Sequence, residues 1–133
     1  MLNARSIATP GKMDNLRLSR TCLNPDIIII TESWLKDIHD ECLFHMDGFS
    51  LFRCDRRERN GGGVVVWIRS RLRIFSAREL HIRNVSEALS IVFEYNKRKY
   101  ALLAIYVPPN LNSTERHEIS DFVIDEIDRK SVV

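Results

Sequence analysis

The sequence predicts an α/β or α+β protein, a sheet covered by helices, and three observations carry that expectation. Residues 27–30 and 64–68 are wholly apolar, mostly β-branched runs of strand length, as expected of strands buried on both faces. Two more apolar runs flank Asn96-Lys97-Arg98-Lys99, which marks a hairpin. Residues 115–130 place apolar side chains at helical spacing.

Taken in order, Met1-Leu2-Asn3-Ala4-Arg5-Ser6 reads as the tail of a strand. A helix follows over Lys12–Leu23, with Met13, Leu16 and Leu23 near one face and Asn24-Pro25 as its stop. The strand Ile27–Thr31 runs straight into the acid Glu32. Residues 35–43 are polar with scattered apolar positions, a loop or a short helical turn. Asp47-Gly48 supplies a turn, after which residues 49–53 alternate as a half-exposed strand. Residues 56–60 are a polar excursion. Gly61-Gly62-Gly63 lacks both the Gly-Lys-Ser/Thr and the helix of a phosphate cradle, so it reads as a flexible entry to the strand at 64–68. Residues 72–75 make a short edge strand, and 88–95 with 100–107 make the hairpin. The last helix offers Ile119, Phe122, Val123 and Ile127 as one stripe, Asn112, Ser113 and Thr114 as caps, and Arg129-Lys130 for its C-terminal dipole.

A length of 133 residues fits one domain, and 44% hydrophobic residues can furnish its core. Net charge is only +2, so bulk charge demands no nucleic-acid partner. Basic residues cluster locally, at Arg53, Arg56, Arg57 and Arg59, at Arg69, Arg71 and Arg73, and at Lys97-Arg98-Lys99, in the manner of solvated faces. Cys22, Cys42 and Cys54 are odd in number and lack Cys-x-x-Cys spacing, as free thiols of a reducing compartment do. With no cationic leader and no apolar run long enough to span a bilayer, the chain is expected to be intracellular, nuclear or cytoplasmic, without a membrane partner. His39, His45, His81 and His117 show no metal-ligand spacing, which speaks against zinc. Trp34 and Trp67 are expected in the core or at its rim.

Glu32 is the residue with chemical promise. A carboxylate presented where a buried strand surfaces is a natural ligand for a hard cation. It gains weight from two polar companions, Asn3 near the start of the chain and Tyr106 at the end of a later apolar run.

These pieces, in their order along nearly the whole chain, resemble the endonuclease/exonuclease/phosphatase superfamily, and within it the endonuclease domain of non-LTR (LINE-type) retrotransposons. The residues carrying the resemblance are Leu2-Asn3-Ala4-Arg5-Ser6, Asn24-Pro25-Asp26-Ile27-Ile28, Thr31-Glu32-Ser33-Trp34-Leu35, Gly48-Phe49-Ser50, Arg53-Cys54-Asp55-Arg56, Gly62-Gly63-Val64 and Tyr106-Val107-Pro108-Pro109-Asn110. It implies a deoxyribonuclease I-like four-layered α/β sandwich and Mg2+-dependent phosphodiester hydrolysis, with Mn2+ as the substitute ion. Glu32 matches the principal metal ligand, Asn3 an asparagine that organises metal and phosphate, Tyr106 a phosphate contact, and Asn110 a nearby polar contact. DNA is the implied partner, touched by Arg56, Arg57, Lys97, Arg98 and Lys99. The intact parent would nick DNA to prime a reverse transcriptase domain of the same polyprotein.

The resemblance also defines what this sequence lacks. A Gly-Asp-x-Asn block and a terminal Ser-Asp-His block are missing, and Ser120-Asp121 is followed by Phe122 inside the helix. Arg5 stands where repair-type members often carry an acid, which favours the retrotransposon branch. Residues 1–133 are therefore expected to form about the first half of the domain, one sheet plus flanking helices, with Val132-Val133 opening a further strand. Such a half would expose its sheet, be marginally stable and be inactive by itself. The competing expectations are a non-catalytic binding module on the same scaffold, or a fragment of another phosphoesterase of the superfamily.

Overall fold

The computed structural model describes residues 1–131, so Val132-Val133 and the strand expected to begin there lie outside the described residues. Its elements are β1 (Leu2–Asn3), α1 (Lys12–Leu23), β2 (Ile27–Thr31), a 3-10 turn (Glu41–Phe44), β3 (Phe49–Cys54), β4 (Val64–Arg69), β5 (Arg73–Ile82), β6 (Ser86–Tyr95), β7 (Arg98–Tyr106) and α2 (Ser113–Ser131). The strands form two sheets rather than the single one expected, in the orders β1-β2-β4-β3 and β5-β6-β7.

Strand β4 shows why the first sheet holds both neighbours. Val65 and Trp67 point into one cluster with Met13, Ile30, Leu35, Phe44, Met46 and Phe49, beneath α1 and the 35–48 segment. Val64, Val66 and Ile68 point the other way, against Leu89, Ile91 and Phe93 of β6. A strand covered on both sides has no polar positions to alternate, which is why its sequence is a continuous apolar run. Trp67 belongs wholly to the core, its indole N–H donating to the Phe44 carbonyl at 2.9 Å. The inner face of the first sheet is thus covered by the second sheet, and the exposure expected of a lone sheet does not arise.

The second sheet is antiparallel throughout. Asn96 and Lys97 take φ of 50° and 62°, the left-handed pair that a two-residue type I′ turn requires. Strand β5 runs ten residues instead of the four expected. It pairs with β6 alone, so Arg73, Phe75, Ala77, Arg78 and Glu79 stay exposed and give no apolar signal. On the outer face of this sheet lies α2. Its buried positions are Ile119 and Glu126, while Ile127, expected in the stripe, is 53% exposed. Ser90 of β6 explains the exchange, since its hydroxyl donates to Glu126 at 2.7 Å and draws the carboxylate inward. The four layers are α1, first sheet, second sheet and α2. No helix among the described residues is long and apolar enough to cross a membrane.

Candidate functional site

β2 ends in a turn that holds Glu32 in an uncommon conformation. Glu32 and Trp34 have φ of 54° and 58°, in the left-handed region that costs a non-glycine residue about 1 kcal/mol or more. Backbone hydrogen bonds impose it from two sides. Ala4, Ser6 and Ile7 donate their N–H groups to the carbonyls of Thr31, Glu32 and Ser33 at 2.8–3.0 Å. On the other side, Ser33 and Trp34 donate to the carbonyls of Gly63 and Gly62 at 3.3 and 3.0 Å.

That second set of bonds corrects the expectation that the triple glycine is merely a flexible entry. A Cβ on Gly62 would lie 2.5 Å from Arg56 Nε and 2.7 Å from Glu87 Oε2, and one on Gly63 would lie 2.5 Å from Ser33 Oγ. Only glycine lets this backbone pass so close to the Glu32 turn, and both residues also have positive φ.

The Glu32 side chain is half-buried and accepts a hydrogen bond from the Tyr106 hydroxyl at 3.2 Å. Burial, then the charge and hydrogen bond of Glu32, push the Tyr106 phenol above its ordinary pKa, so it remains a neutral donor. Asn3 is exposed and pairs in register with Thr31, the residue before Glu32. Asn3, Glu32 and Tyr106 therefore lie at the C-terminal ends of three strands, at one end of the sandwich.

Behind Tyr106 stands an ion pair that the sequence reading missed. Glu87, 2% exposed, receives Arg56 at 2.7 and 3.2 Å and the Gly63 N–H at 3.1 Å. Arg56 also donates to the Val85 carbonyl and lies 5.4 Å over the Tyr106 ring. Its guanidinium is thus engaged with Glu87, the Val85 carbonyl and the Tyr106 ring. A signal for Glu87 did exist: the period of two places it on the same face as Leu89, Ile91 and Phe93, where an acid needs a partner.

The other expected residues stand apart. Asn110 is exposed in the loop between β7 and α2, four residues past Tyr106, and Arg57 is exposed in the loop between β3 and β4. Lys97, Arg98 and Lys99 occupy the opposite end of β7, about 27 Å from Tyr106 at the rise of an extended strand. Lys99 there stacks 4.4 Å over the Phe75 ring.

A cation of the Mg2+ type fits the donor set at Glu32. One Glu32 oxygen is engaged by Tyr106, and the other makes no hydrogen bond among the described residues. Magnesium takes one or two carboxylates and keeps several waters, so a single free carboxylate oxygen facing solvent suits it.

No protein-family model matches the chain, and no curated protein matches it. Solved structures do share its fold. TDP2 from D. rerio, in complex with a single-strand DNA product, superposes with a TM-score of 0.72 at 15% identity, over 96% of this chain and 52% of that one. TDP2 from C. elegans gives 0.68 at 13% identity, over 96% of this chain and 42% of the other. The human Nocturnin catalytic domain, with a bound sulfate anion, gives 0.57 at 9% identity, over 77% and 44%. The fold is deoxyribonuclease I-like. The chain spans about half the length of these structures.

Proposed function

We propose that this chain is the first half of a divalent-cation-dependent DNA endonuclease domain of the LINE-type retrotransposon branch. The observation that carries this is the Tyr106–Glu32 hydrogen bond at 3.2 Å, which joins the two sheets at the end where Asn3 also sits. The deoxyribonuclease I-like fold, shared with a TDP2 that holds single-stranded DNA, supports nucleic acid as the substrate class. Coverage of about half of each matched structure supports a domain that continues beyond these residues.

In this reading Glu32 holds Mg2+, or Mn2+ in its place, through the carboxylate oxygen that Tyr106 leaves free. When bound, the cation supplies Lewis-acid stabilisation of charge on the phosphate. Tyr106, kept protonated by its surroundings, donates its hydroxyl to a phosphate oxygen, and the Asn3 amide donates a second hydrogen bond. Arg56 and Glu87 fix the Tyr106 ring from behind. None of these groups is a free base placed to orient the attacking water, so the chain by itself is inactive. Reverse transcription belongs to a further domain of the parent.

Two measurements test this. Added Mn2+ should broaden the NMR signals of Glu32 and Tyr106 selectively in the wild type and not in Glu32→Ala; uniform broadening, or none, removes the site. Plasmid incubated with the chain and Mg2+ should stay supercoiled. Robust nicking abolished by Glu32→Ala would show that the chain needs no second half.

A further inference from the structure

A second cluster of ligand-type side chains lies where the edges of the two sheets meet. Cys54 ends β3, at the edge of the first sheet, and Glu79 and His81 lie on β5, at the edge of the second. The period of two puts Glu79 and His81 on one face of β5, opposite Leu89 and Glu87 of β6, and that face looks across to Cys54. One ligand atom from each of the three residues falls within 4.8 Å of the others.

The spacing suits a particular class of ion. Cys54 Sγ is 3.7 Å from His81 Nε2. Zinc–sulfur and zinc–nitrogen bonds of about 2.3 and 2.05 Å at a tetrahedral angle set sulfur and nitrogen about 3.6 Å apart. Cys54 Sγ also lies 3.9 Å from Nδ1, beside the ring rather than along a nitrogen lone pair, so the His81 ring must turn to present Nε2 to the ion while the spacing is kept. A thiol, an imidazole and a carboxylate form a borderline-soft set that selects zinc-like ions over magnesium. Approach is open as well, because Glu79 is exposed, His81 is half-buried, and both line a polar cleft of about 770 Å3 with Asp37, His39 and Asp55. Histidine spacing along the chain gave no hint of this, since a Cys from one sheet and an acid and His two apart on a strand match no familiar motif.

We propose that Cys54, Glu79 and His81 bind a zinc-class cation, with water from the cleft as the fourth ligand. The ion clips β3 to β5 and so ties the two sheets together at one edge. It is separate from Glu32: Thr31, Val64 and Cys54 lie in one row across the first sheet, which sets Cys54 two strands, about 10 Å, from Thr31. Binding exchanges the thiol proton for the metal, so one proton leaves per ion taken up.

Cobalt(II) titration of the reduced full chain tests this, with the Cys22→Ser/Cys42→Ser variant excluding the two exposed thiols. One equivalent should produce tetrahedral ligand-field bands and a thiolate-to-cobalt charge-transfer band, release one proton and raise Tm. Zinc should displace cobalt, and a large excess of magnesium should not. The half-buried position makes His81→Asn the safer variant than one at Cys54, and it should weaken cobalt binding by more than about 100-fold, beyond the loss of a merely supporting contact. Cys54→Ser should abolish the charge-transfer band. Absence of that band at saturating cobalt, its survival in Cys54→Ser, or unchanged affinity in a folded His81→Asn would each overturn the proposal.

Discussion

The Tyr106 hydroxyl donates to the Glu32 carboxylate across 3.2 Å, linking the end of β7 in one sheet to the end of β2 in the other. The two residues are 74 positions apart in sequence, yet each is fixed by its own strand. Tyr106 lies opposite Glu87 in the β6–β7 register, and Glu32 follows Thr31 in the β2–β4 register.

Tyr106→Phe keeps the ring against the core and removes only this bond. Stability should fall by about 1 kcal/mol, the usual net worth of such a hydrogen bond, read as a lower urea midpoint at unchanged slope. Burial and Glu32 hold the Tyr106 proton above the ordinary phenol range, so the same variant should lose a tyrosinate absorbance step that lies above that range.

Glu32→Ala and Glu32→Gly both delete the carboxylate, but they differ at the backbone. With φ at 54°, glycine relieves strain that alanine retains, so Glu32→Gly should be about 1 kcal/mol more stable than Glu32→Ala. Urea denaturation of the pair measures this directly. Equal stability would mean that the turn relaxes, and that the surrounding hydrogen bonds do not hold Glu32 in the left-handed region.

Much of this architecture is legible in the sequence because burial on both faces leaves a strong pattern. β2, β4 and the β6–β7 hairpin follow from apolar runs and an Asn-Lys turn, and α1 runs between the limits that its periodicity and Asn24-Pro25 indicate. What the pattern hides has physical causes. β5 has one strand partner and an exposed face, so its Ser76-Ala77-Arg78-Glu79 segment looks like loop. Glu126 replaces Ile127 as a buried position because Ser90, 36 residues away, satisfies it. Glu32 and Tyr106 could be singled out as strand ends, but the Arg56–Glu87 support depends on pairing that local sequence does not encode.

Gly62→Ala places a methyl group 2.5 Å from Arg56 and 2.7 Å from Glu87 at a φ of +63°. Overpacking and backbone strain together should cost about 2–4 kcal/mol. Gly48 also has positive φ, at +79°, but nothing lies within 4 Å of its virtual Cβ. Gly48→Ala should therefore cost about 1 kcal/mol, from strain alone. The difference between their urea midpoints isolates the crowding at the site.

Arg56→Met leaves Glu87 buried without its cation. The two side chains are 12% and 3% exposed, and stranding a buried carboxylate costs about 3–5 kcal/mol. Adding Glu87→Gln removes the orphaned charge while leaving an oxygen for the Gly63 N–H. The double variant should recover at least about 2 kcal/mol relative to the sum of the single losses. A double-mutant cycle by chemical denaturation gives this coupling. Additive losses would mean that Arg56 supports Tyr106 by packing alone.

The Cys54 thiol is fully buried, and burial pushes its pKa from 9.0 to about 11. The folded state therefore holds this proton more tightly than the unfolded chain. Its contribution is complete below pH 9.0 and is lost as pH rises towards about 11, because the unfolded thiol ionises first. Two pKa units correspond to roughly 2–3 kcal/mol, an upper bound for the loss over that window. Cys54→Ala removes the ionisable group, so its stability should fall less between pH 9.0 and about 11 than that of the wild type. Urea midpoints of both proteins across this range, with metal chelated, provide the measurement. Parallel curves would mean that the thiol reaches solvent in the folded chain and ionises there as easily as in the unfolded one.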